Sequence, residues 1–86
     1  MKRQKLYNEF EQLIQRLGLR ILKGKGDFLG GTCIVNNKKV IVVNKMKPLE
    51  QRLKILALGV MDYNLDEIYI VPALREYIEN SKSPNL

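Results

Sequence analysis

Val40-Ile41-Val42-Val43 is a run of four β-forming residues with no polar side chain between them. Successive side chains of a strand point to opposite faces, so a strand with one face in water reads as alternation. An unbroken apolar run reads instead as a strand covered on both faces. A chain of 86 residues can hold only one modest core. Each cover must therefore come from helices of this chain or from a partner.

Two stretches supply candidate covers. Over residues 3–17, Leu6, Phe10, Leu13, Ile14 and Leu17 recur at helical spacing and form one apolar stripe. Asn8, Glu9, Gln12, Gln15 and Arg16 fill the other side, and Gly18 stands where a left-handed residue usually ends a helix. A second helix is expected from Pro48, a residue suited to the first helical turn, to about Tyr63. Its stripe of Leu49, Leu53, Leu56, Ala57 and Val60 is widened by Ile55, Leu58 and Met61. So broad a girth predicts burial on two sides, or a half that meets another protein.

Between the helices lies β-rich sequence. LRILK (19–23) reads as a first strand and FLGGTCIV (28–35) as a second. KVIVVN (39–44) is the third, joined to the second through Asn36-Asn37-Lys38, since asparagine tolerates positive φ. NLDEIYIV is a connection with Leu65 and Ile68 turned inward, and Pro72 opens a short helix anchored by Leu74 and Ile78. The expected architecture is α+β: N-terminal helix, three-stranded antiparallel meander, long helix, short C-terminal helix. It forms a single domain over residues 1–80, with 81–86 as a flexible tail.

GDFLGGT (26–32) has glycines spaced like those of a phosphate loop. Such a loop also needs a lysine and a helix starting directly after it. Here Thr32 holds the lysine position, and a strand and hairpin follow. The dinucleotide pattern fails too, because Leu29 takes its third glycine position. The reading that fits is a turn at Gly24 and Gly26. Gly30 and Gly31 then form a bare stretch of strand where a helix or extended peptide can come close. Gly30, Gly31, Ile55, Leu58 and Met61 are therefore the candidate close-packing or partner-facing residues.

Catalytic groups are scarce. The chain has no histidine, which removes His-based triads, most zinc sites and the usual neutral-pH base. Cys33 lies within a β-run and reads as a buried structural thiol. Asp62, Asp66 and Glu67 do not have calcium-loop spacing and read as solvated capping residues. No enzyme, metal or cofactor is expected. One cysteine cannot form an internal disulfide, and no apolar stretch resembles a signal or a membrane span, so a cytoplasmic protein without membrane contact is expected.

The charge is uneven. Residues 1–54 hold 13 Lys/Arg against 4 Asp/Glu, whereas residues 55–86 hold 2 against 5. If the first and third strands run the same way, Lys23, Lys25, Lys45 and Lys47 gather at one end of the sheet as a candidate polyanion-binding rim. Stacking aromatics for a single-stranded nucleic acid are limited to Phe28 nearby. A protein partner or a second copy is thus the leading expectation, with weak nucleic-acid binding as the alternative.

The order of elements, with IVVNKMKPLEQRLKILALG, resembles the front half of minimal zincin peptidases of the ImmA/IrrE type over roughly residues 10–62. Aligned on Arg52-Leu53, that family's motif histidines fall on Ala57 and Met61 and its glutamate on Leu58. The resemblance then implies a scaffold without the metal or its chemistry. With GGTC, VNK and IYIVPALREYIE, the chain also resembles a family of small uncharacterised bacterial proteins.

Overall fold

The computed structural model describes residues 1–82. Helix α1 spans Arg3–Arg16 and buries Leu6, Phe10, Leu13 and Ile14, the stripe its spacing dictates. It ends in a Schellman motif: the Gly18 N–H donates to Gln15 O and the Leu19 N–H to Ile14 O, both at 3.0 Å. Gly18 holds φ +78° with open space around its Cα. The backbone conformation, not crowding, selects glycine there.

Three strands follow: β1 Arg20–Gly24, β2 Gly30–Val35 and β3 Lys38–Asn44. Asn36 and Asn37, at φ 51° and 65°, form the two-residue turn that joins β2 to β3, the mirror-image geometry that matches strand twist. The sheet order is β1-β3-β2, with β1 parallel and β2 antiparallel to β3. The expected antiparallel meander is thus corrected to a mixed sheet. A meander would centre the glycine-bearing β2, whereas the observed order centres Val40–Val43, which gain neighbours on both edges. The link 25–29 crosses the end of β3 to make this possible. Asn44 holds it there, its Nδ2 donating to Gly26 O (2.8 Å) and to Phe28 O.

Helix α2, Leu49–Val60, is shorter than expected and begins after Pro48. It lies against β3, β2, α1 and the last helix, and so buries Leu53, Ile55, Leu56, Ala57, Gly59 and Val60. Most of its apolar breadth is used inside the fold, while Leu58 stays exposed. Gly59 lets it sit directly on the sheet, because a Cβ there would lie 2.5 Å from Ile41 Cδ1. The connection 61–71 buries Leu65 and Ile70 and is fastened by Arg75 Nη2, which donates to Leu65 O and Ile68 O.

Helix α3, Pro72–Lys82, packs on α1 and α2 rather than on the sheet. Tyr77 meets Phe10 edge-on, with ring centroids 5.8 Å apart. Ser81 and Lys82 are helical, so the domain continues past residue 80. The remainder of the expected tail, 83–86, lies outside the described residues. The class is α+β, and no helix among the described residues is long and apolar enough to cross a membrane.

Candidate interaction surface

Register assigns each strand residue to a face. Ile21, Ile41 and Thr32 share one side with Lys23, Val43 and Gly30. This is the helix side: α1 lies over β1 and α2 over β3 and β2, and Ile41 and Val43 are fully buried in the common core. The other side carries Arg20, Val40 and Cys33 in one row and Leu22, Val42 and Gly31 in the next. No helix lies over it among the described residues.

The run Val40–Val43 therefore differs from its expected double cover. Val40 is still only 3% exposed, because Arg20 and Cys33 flank it on the neighbouring strands. Val42 is half-buried and Leu22 is 42% exposed. Gly31, opposite Val42, has no heavy atom within 4 Å of where a Cβ would stand. At the top of this face the Phe28 ring lies over Gly24 and Gly26. The result is a shallow apolar floor of Leu22, Val42 and Gly31. Phe28 stands at one end, and Arg20, Cys33 and Val35 lie toward the other.

Gly30 behaves differently from Gly31. At φ +110° it brings its backbone so close to β3 that a Cβ would stand 2.8 Å from the Val42 carbonyl oxygen and 3.7 Å from Ile55. Its close neighbours are the protein's own central strand and α2. Of the other candidate residues, Ile55 is buried, Met61 half-buried and Leu58 53% exposed. Cys33 is exposed, contrary to the buried thiol expected from its β-run. It sits on an outer strand and on the face without helices, so neither backbone nor helix covers it.

The parallel pairing of β1 with β3 brings Lys23, Lys25, Lys45 and Lys47 to the same end of the sheet; the Lys45 N–H continues the ladder to Gly24 O at 2.8 Å. They are not equivalent. Lys23 Nζ is 2.8 Å from Glu11 Oε2, and this hydrogen bond, outweighing desolvation, raises its pKa above the usual lysine value. Lys25 and Lys45 are exposed and Lys47 is half-buried. At the opposite end, Lys39 Nζ donates to Gly59 O (3.0 Å) and lies 5.1 Å from the Tyr63 ring centroid. That contact neutralises part of the α2 C-terminal dipole.

Asn44 was not singled out by its sequence context, yet it organises this end. Its side chain is 1% exposed and also accepts the Met46 N–H at 2.9 Å. The IVVN ending of a β-run was its only sequence signal. The acidic residues Asp62, Asp66 and Glu67 are all exposed. Among the described residues no group of three or more His, Cys, Asp or Glu is placed to hold a metal. At the positions onto which the zincin resemblance maps the motif, Ala57 is on the buried side of α2, Leu58 faces solvent and Met61 is half-buried. No family model, curated protein or solved structure matches this chain.

Proposed function

We propose that this chain is a protein-interaction module whose open sheet face receives an apolar surface edged with acidic groups. The observation that carries the reading is the bare floor of Leu22, Val42 and Gly31, in a sheet whose helices all lie over the other face. Burying such a floor yields roughly 25 cal/mol per Å² of apolar surface removed from water. Both ends of the face are basic, with Arg20 and Lys38 at one and Lys25 and Lys45 at the other. They favour an acidic border on the partner and speed its approach. A cytoplasmic setting belongs to the same reading, since the exposed Cys33 thiol persists in reducing surroundings.

The test is photo-crosslinking in living cells from a reactive amino acid placed at Leu22. A discrete adduct should form and vanish when Val42→Lys is added. An adduct pattern no different from that of a probe at Gln4, on the exposed side of α1, would reject the module.

The gathering of Lys25, Lys45 and Lys47 at one sheet end favours a second reading, weak nucleic-acid binding. With Lys23 committed to Glu11, at most three lysines are available. Binding should fall as salt rises and vanish in Lys45→Glu/Lys47→Glu. Binding that survives the pair, or none at low salt, removes this reading.

A further inference from the structure

The two edges of the sheet differ in a way that selects a partner. Edge strand β1 carries Arg20 and Lys23 and is followed by Lys25, the charged guard that keeps strand edges from pairing. Edge strand β2 has no such guard. From Phe28 to Asn37 there is no charged residue, and β2 has β3 as its only strand neighbour among the described residues. Its outer side chains are exposed and apolar: Ile34 is 69% and Val35 45% exposed.

Leu58 extends this surface. Ile34 is paired with Lys39, whose Nζ reaches Gly59 O, so Ile34 lies level with the end of α2 where Leu58 faces solvent. An uncovered backbone ladder is thus flanked by Ile34 on the helix side, with the solvent-facing Leu58 at the same level of the fold, and by Cys33 and Val35 on the open side.

We propose that β2 pairs antiparallel with β2 of a second copy of this chain. An antiparallel strand edge is complementary to itself about a two-fold axis, the usual symmetry of dimers. Charge favours the same occupant. Each copy carries a formal +6, and the uncharged β2 edge is where two copies meet without opposing like charges. Asp27 precedes the strand and Lys38 follows it, so antiparallel pairing sets Asp27 of each copy toward the Lys38 end of the other.

The two-fold stands perpendicular to the sheet. It gives a six-stranded sheet of order β1-β3-β2-β2-β3-β1 with both helical layers on one side. The two open faces join on the other side, so the module becomes bivalent. This step goes beyond the interaction reading and uses the edge, not the face; either can fail while the other stands.

Analytical ultracentrifugation of the full chain, with hydrogen exchange on the same samples, tests the pairing. The wild type should sediment as a dimer with slowed exchange at β2 amides. Ile34→Lys and Leu58→Lys should each weaken association by about tenfold or more, since each buries a charge at the junction. Leu22→Lys, on the open face, should leave the dimer intact. Both substituted side chains of the edge variants are exposed, and an unchanged circular dichroism spectrum confirms the fold. A bismaleimide should also bridge Cys33 of the two copies in the wild type and not in Ile34→Lys. A monomer at the highest soluble concentration overturns the proposal. So does a dimer that ignores Ile34→Lys but dissociates in Leu22→Lys, because the copies then meet through their open faces.

Discussion

Replacing Asn44 tests how the sheet keeps its order. The side chain is 1% exposed and makes three hydrogen bonds: two donated to the carbonyls of Gly26 and Phe28, one accepted from the Met46 N–H. These tie the link between the two outer strands across the end of the central one. At about 1 kcal/mol net for each bond, Asn44→Ala should cost about 3 kcal/mol. For a domain of this size that lowers Tm by roughly 12–24 °C.

Asn44→Asp separates hydrogen bonding from packing. The shape is kept and the Met46 N–H still has its acceptor, but a carboxylate oxygen now faces two carbonyl oxygens out of water. At neutral pH the loss should match or exceed that of Asn44→Ala. The sign of its pH dependence follows. The fold disfavours the charged form, so the introduced carboxyl has a folded pKa above its unfolded value. Protonation then favours the folded state, and stability relative to wild type should rise as pH falls through the folded pKa, levelling off below the unfolded one. Urea unfolding followed by circular dichroism at several pH values measures both effects. An Asn44→Asp protein as stable as wild type at neutral pH, or one with no gain on acidification, would refute the role assigned to this side chain.

Three further outcomes are expected. Gly30→Ala should destabilise by about 2 kcal/mol or more, because its φ is +110° and a Cβ would press on the Val42 carbonyl; Gly31→Ala, with open space around it, should cost less, and equal losses in urea would contradict the distinction. Gly59→Ala should lose about 1–3 kcal/mol through overpacking against Ile41 despite the better helix propensity of alanine. Ile41→Val should relieve part of that clash, so a double-mutant cycle should show favourable coupling. The Lys23 amine should titrate above its ordinary value in NMR and return toward it in Glu11→Gln. Because the folded pKa is raised, this pair stabilises fully below the unfolded pKa and loses its effect as pH rises through the folded one; water screening holds it to about 0.5 kcal/mol or less.

Local rules made much of this fold legible. The α1 stripe, its Gly18 stop, the Asn36-Asn37 turn and the Leu74/Ile78 anchors depend on neighbours within a few residues, and each stands where spacing placed it. The shared end of Lys23, Lys25, Lys45 and Lys47 was also within reach, since it requires only that β1 and β3 run the same way. The expectation for Cys33 failed because a β-run reveals strand character but not whether the strand ends up at an edge. The broad girth of α2 read equally well as contact with a partner or with two elements of its own chain; the fold uses most of it internally, against β3, β2, α1 and α3, and leaves Leu58 in solvent.

By itself, then, the sequence determined the helices, the strands, the hairpin and the class, because periodicity and turn chemistry are short-range. Tertiary structure alone decided that β3 lies between β1 and β2, that the helices gather on one face, and that Gly30 nestles against its own β3 while Gly31 stays open. Strand order is a competition among whole arrangements for the buried central place. In the central place Val40, Ile41 and Val43 are buried, and Asn44 closes the link that this order requires.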